Sequence, residues 1–132
     1  MTDIESTTVN EAGFQATSQV GDFNIDTDAT GESGPDPNEV LVADYAACFS
    51  YAFRAGAQRN DFDELGKIQT DAEADLDDED DLTAIRFTLH VEADLTNEEA
   101  DELLGYAEDI CHVHAALKES LYADVTVNAG AF

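Results

Sequence analysis

Cys48 and Cys111 are the two cysteines of this 132-residue chain, and they set the chemistry it could perform. Two thiols in a reducing compartment either fill apolar space or form a redox pair. In the redox case one sulfur is oxidised and the other closes a disulfide onto it. Packing is the commoner fate of a free cysteine, and the two show no zinc-ribbon spacing. Cys111 and His114 stand three apart, a spacing at which a thiolate and an imidazole could grip zinc with His112 or Cys48 beside them. A lone Cys/His pair is more often structural, so no metal is expected. Tyr45 and Tyr51 lie one helical turn either side of Cys48, where aromatics ordinarily pack and could also line an apolar channel. Ser50 has no base within its own element and reads as helix filler.

These side chains depend on a helix that starts with an unusually complete signal. Asp36 is a good N-cap, Pro37 suits the first helical position, and Glu39 completes an Asp-x-x-Glu capping box. From there to Arg59 the pattern is apolar nearly all round, with Asp44 the one charge between Glu39 and Arg54, so the helix belongs inside a core. Within it Arg54 lies six residues beyond Cys48, about 240° around the axis, and Arg59 lies about 16 Å further along. Arg54 thus points elsewhere, and Arg59, though nearly in line, is too distant on its own helix. Either could reach a partner subunit's cysteine, and Lys118 is another candidate cation.

The remaining elements follow from periodicity. Residues 1–11 are weakly patterned and suit an arm or edge strand. Gly13–Val20 and Asp22–Asp28 read as strands joined around Gly21, followed by a Gly/Pro/Asp-rich connection. Lys67–Leu76 alternates, with Ile68, Thr70, Ala72, Ala74 and Leu76 on one face. Leu82–Leu95 places Ile85, Phe87, Leu89, Val91 and Ala93 inward, completing an antiparallel hairpin whose Arg86 and His90 face solvent. Thr96–Glu99 is a second capping box. The helix behind it carries Leu103, Leu104, Ala107, Ile110, Cys111 and His114 on one stripe. Ser120–Val127 closes the chain as a strand. The expectation is one α+β domain over 1–132: strands and connection 1–36, central helix 37–59, hairpin 62–95, second helix 97–114, final strand 120–128. Its helices lie on one face of an antiparallel sheet.

Composition narrows the partners. Asp plus Glu number 31 against 5 Lys plus Arg, a net charge of −26, which argues against nucleic acid because phosphates need cations. Apolar content is 43%, too high for a disordered acidic chain. The acidic start, Met-Thr-Asp-Ile-Glu, is unlike a secretory n-region. The nine charge-free residues Tyr45–Phe53 fall far short of the roughly 20 a bilayer span needs. A cytoplasmic protein folded for high salt, where screening offsets self-repulsion, is expected.

Two stretches carry a family resemblance. Gly34-Pro35-Asp36-Pro37-Asn38-Glu39-Val40-Leu41, with Cys48 eleven residues after Pro37, resembles the G-x-x-P-x-E-L-L…C element of the OsmC/Ohr family. Cys111-His112-Val113-His114-Ala115-Ala116-Leu117 resembles its second element, C-P-V-H/S-x-x-L. The pairing is closer to the broad OsmC-like branch than to the dedicated hydroperoxide reductases. The resemblance implies an intertwined homodimer with sites at the subunit interface, and thiol-dependent reduction of organic hydroperoxides. Cys48 would be the peroxidatic thiol and Cys111 the resolving one, with an external dithiol closing the cycle and no bound cofactor. Tyr45 and Tyr51 would line the substrate channel. In the family an arginine from the N-terminal strands, held by a glutamate directly after the motif proline, supports the first thiolate. Here Asn38 follows Pro37, Glu39 comes one step later, and no arginine precedes Arg54. The alternative is therefore a non-enzymatic dimer that binds a small hydrophobic ligand, with both cysteines packing and Glu39 only a cap.

The charge pattern makes one prediction. Dialysis from molar KCl into dilute buffer abolishes the near-UV circular dichroism of the tyrosines, and returning the salt restores it; retained signal in dilute buffer contradicts salt adaptation.

Overall fold

A computed structural model describes residues 2–132. The chain divides into two compact units, one ending at Leu41 and one running Val42–Phe132. The first is a three-stranded antiparallel sheet: β1 (Thr7–Val9), β2 (Gln15–Val20) and β3 (Phe23–Asp28), in that spatial order. The expected edge strand is thus present, and Gly21 takes a positive φ of 60° in the tight β2–β3 turn. Apolar side chains are poorly covered here. Phe14 is 70% exposed and Phe23 77%, and no apolar residue before Tyr45 is fully buried among those described.

The buried group of this unit is a carboxylate. Asp28 is 2% exposed. One of its oxygens accepts from the Thr30 amide (2.8 Å) and hydroxyl (2.7 Å), the other from the Ser33 amide (3.1 Å) and hydroxyl (2.8 Å). Four donors satisfy the charge and fold the connection toward α1 (Pro37–Arg59). That helix opens with the expected capping box: the Asp36 carboxylate accepts from the Glu39 amide (2.8 Å), and the Glu39 carboxylate accepts from the Asp36 amide (3.1 Å).

In the second unit, α1 continues beside a sheet of β4 (Ile68–Leu76), β5 (Leu82–Val91) and β6 (Asp124–Ala129). The core lies where Tyr45, Phe49 and Phe53, spaced i, i+4, i+8 on α1, are fully buried together with Phe87, Leu89 and Val91 of β5. Tyr45 meets Phe87 edge-on at 4.8 Å between ring centroids, and Phe49 lies 5.7 Å from the same ring. Burying each such aromatic contributes roughly 1.5–3 kcal/mol, so this ridge seats the helix on the sheet. The next elements are α2 (Asn97–Ile110), α3 (His112–Ala116) and a single 3-10 turn, Glu119–Leu121. Gly56 lets α2 approach α1 closely, since a Cβ there would stand 2.8 Å from Tyr106 Cβ.

Four features differ from the sequence reading. At the end of the chain, Glu119–Leu121 turn as a 3-10 helix, and the strand expected from Ser120 begins only at Asp124. The sheet is not wholly antiparallel, because β6 pairs parallel with β5. The crossover through α2 and α3 carries the chain back to where β5 begins, and a parallel neighbour is what such a return produces. The face of β4 expected to be covered is open from Ala72 to Leu76, since α1 reaches only its first residues, where Ser50 and Thr70 share a hydrogen bond of 2.5 Å. Finally, the helix expected over 97–114 stops at Ile110 and restarts at His112. On the other sheet face, Arg86 makes two bonds of 2.9 Å to Asp75, and His90 bonds Asp71 (2.9 Å). Both are sheet-surface partners, as the alternation implied.

Because four donors hold the Asp28 carboxyl at about 2, below its ordinary 3.8, its contribution to stability is complete above about pH 4 and is lost as pH falls toward 2. Asp28→Asn therefore melts several degrees below the parent at neutral pH in molar KCl, and the gap narrows under acid. An equal gap at all pH values contradicts this role.

Candidate active site

Cys48 sits mid-helix on α1 and is partly exposed, while Cys111 is 1% exposed. Their positions follow from the two helices. Gly56 meets Tyr106, and further along the two segments Cys48 is near enough to Cys111 to raise its thiol's titration.

Cys111 reaches that position because the helix breaks there. Its backbone is extended (φ −65°, ψ 113°). Its N–H ends α2 by donating to the Ala107 carbonyl (2.9 Å), and its carbonyl accepts from Ala115 (3.1 Å). Its sulfur caps α3 by accepting from the His114 amide at 3.4 Å. One residue thus closes one helix and opens the next, with the sulfur held at the junction. Burial pushes the Cys111 thiol up to about 11, and nearby Cys48 acts in the same direction, against the His114 amide. Cys111 therefore keeps its proton at neutral pH.

His114 and Tyr45 complete the cluster. The Tyr45 hydroxyl lies 2.6 Å from His114 Nδ1 and accepts from the Ala123 amide at 3.0 Å. Burial raises the Tyr45 phenol above its ordinary value, so it remains a donor. The His114 ring stacks on Tyr122, 4.0 Å between centroids and tilted 25°. Among the described residues no three His, Cys, Asp or Glu side chains converge to hold a metal ion. The spacing of Cys111 and His114 instead serves a helix cap and a hydrogen bond.

The other sequence-derived candidates are placed separately. Glu39 is exposed and engaged with the Asp36 amide as a cap. Tyr45 is fully buried, whereas Tyr51, one turn to the other side of Cys48, is 72% exposed. Arg54 donates to the Gly66 carbonyl (2.6 Å), away from the sulfurs as its angle on the helix implied. The Tyr45–His114 bond and the break at Cys111 were not visible in the sequence. His114 continues the i, i+3 stripe, so periodicity alone carries the helix through Cys111.

Comparison with known proteins gives the family and the fold. The family described as OsmC-like protein matches residues 29–126. A Haloferax volcanii protein, described only as uncharacterized, is 58% identical over 132 residues, covering all of both chains. The organic hydroperoxide resistance protein OhrB of Bacillus subtilis is 32% identical over 82 residues, which cover 61% of this chain and 60% of OhrB. Among solved structures, an OsmC-like protein from Mycoplasma pneumoniae superposes with a TM-score of 0.84 at 19% identity, covering 97% of each chain. A fold with these sulfurs, matched along most of its length, places the chain in the OsmC-like family.

Proposed function

We propose that this protein reduces organic hydroperoxides, with Cys48 as the peroxidatic thiol and Cys111 as the resolving thiol. The observation that carries the reading is the placement of the two cysteines. Cys48 is half-buried on α1; Cys111 is buried at the helix break, its sulfur accepting from the His114 amide, and is near enough for Cys48 to act on it. The name of OhrB, organic hydroperoxide resistance protein, supports the substrate class.

The Cys48 thiolate attacks one peroxide oxygen, and the O–O bond breaks. The alkoxide leaves and takes a proton to become the alcohol, and Cys48 becomes a sulfenic acid. The Cys111 sulfur then attacks the Cys48 sulfur, and the displaced hydroxide takes the Cys111 proton and departs as water. An external dithiol returns the disulfide to two thiols by exchange. Arg54 and Arg86 are committed to Gly66 and to Asp75. Tyr51, exposed beside Cys48, offers an apolar wall to the organic part of the substrate. Glu39 contributes through the helix cap.

The assembly is proposed to be a homodimer in the cytoplasm. Phe14, Phe23 and Ile25 are 70%, 77% and 41% exposed, and a second copy would take such side chains out of water. The rival reading, a non-enzymatic binder of a hydrophobic ligand, draws on the engagement of Arg54 and Arg86 away from the sulfurs. It finds less support in an open concavity of about 900 Å³ on the first unit, which is lined by Thr7, Gln15, Thr17, Asn24 and Asp26 among others.

With tert-butyl or cumene hydroperoxide and a dithiol in molar KCl, the protein consumes peroxide. Cys48→Ser lowers the rate by at least about 10³-fold, and Cys111→Ser stalls after one turnover. Consumption no faster than the Cys48→Ser variant removes the peroxidase reading in favour of the binder. Light scattering in the same salt gives twice the 14.2 kDa chain mass; a monomeric mass overturns the dimer.

A further inference from the structure

We infer that Tyr45 and His114 are positioning residues for the Cys48–Cys111 bond, a latch by which the helix bearing one sulfur holds the turn bearing the other. The inference rests on the redox reading of the two cysteines and adds to it what keeps them aligned.

The contacts close a ring. Tyr45 stands one turn before Cys48 on α1 and is fully buried. Its oxygen accepts from the Ala123 amide, so its own proton points at His114 Nδ1, 2.6 Å away. The His114 amide reaches the Cys111 sulfur, and Cys111 lies near enough to Cys48 to feel its thiol. The two cysteine-bearing elements are therefore joined by a hydrogen bond that does not involve either sulfur.

The second element needs such a tie. α3 is five residues long and has no buried residue. A helix of that length has no stability of its own, and its apolar anchoring is light, with Val113 only half-buried. What fixes it is the Tyr45 bond and the stack of His114 on Tyr122. Disulfide closure tolerates little displacement, because the bond requires a narrow range of Cα separations and torsions. A phenylalanine at position 45 could fill the same space against Phe49 and Phe87. A buried hydroxyl there is useful only through its partners, and both are present.

The latch can be tested without peroxide. In mixtures of oxidised and reduced dithiothreitol, the cyclic disulfide takes two electrons and two protons from Cys48 and Cys111, leaving the protein disulfide and the open dithiol. The dithiothreitol ratio at half-oxidation measures how well the sulfurs are aligned. The natural protein and its variants would be equilibrated in molar KCl, with folding checked by circular dichroism and thiols counted by alkylation and mass. Tyr45→Phe and His114→Leu should shift that ratio about three- to tenfold toward more oxidising mixtures, the scale of one or two net hydrogen bonds. His114→Asn should stay within about twofold of the natural protein, because its side-chain oxygen takes the place of Nδ1 as acceptor. Ser50→Ala removes a bond between the same helix and β4 and should leave the ratio unchanged even if it lowers the melting point.

An unshifted Tyr45→Phe, an equal shift in Ser50→Ala, or a natural protein that forms no disulfide overturns the latch. Latch-dependent closure without peroxide consumption supports the latch and removes the peroxidase reading. Peroxide turnover with a disulfide indifferent to Tyr45 does the reverse.

Discussion

A buried thiol near a second, partly exposed thiol is the arrangement on which the proposed chemistry depends. Cys111 holds its hydrogen because burial penalises the thiolate and the neighbouring sulfur adds to the penalty. That asymmetry gives the two cysteines different parts. In the proposed reaction the partly exposed one attacks the peroxide, and the buried one attacks the first in turn. Two equally exposed thiols would have no such order of events.

The backbone maintains the asymmetry. A continuous helix through Cys111 would have left the sulfur without a capping role. The break instead makes the cysteine the end of α2 and the start of α3, with its amide, carbonyl and sulfur all engaged. The aromatic ridge of α1 supplies the firm side of this arrangement, because Tyr45, Phe49 and Phe53 anchor the helix on β5. The α3 side is lightly built and relies on polar contacts. A strong apolar clamp on one partner and a hydrogen-bonded hold on the other suit the closing and reopening of a disulfide that the proposed reaction requires.

The charge of the chain acts elsewhere. Asp71, Glu73 and Asp75 line the outer face of β4, where Arg86 and His90 meet some of them. With 31 acids and five strong bases, most carboxylates have water and salt as their neighbours. Asp28 is the exception, buried and satisfied by four donors rather than by a cation. The 58% identity to a Haloferax volcanii protein fits a surface of this kind.

Local physics made much of this legible in the sequence. The capping boxes at Asp36 and Thr96 both form as their residues dictate, and α1 runs from Pro37 to Arg59 because proline at its first position and an apolar run allow little else. Alternation located the inward residues of β5, and the spacing of Arg54 correctly turned it away from Cys48. Other features were settled only by the folded chain. The parallel pairing of β6, the open face of β4, the break at Cys111 and the bond from Tyr45 to His114 all depend on partners far away in sequence. Periodicity reports which side of an element is apolar; it does not report what stands opposite. The two sulfurs belong to both accounts: the chain placed each on its element, and the packing of α1 against α2 across Gly56 brought them together.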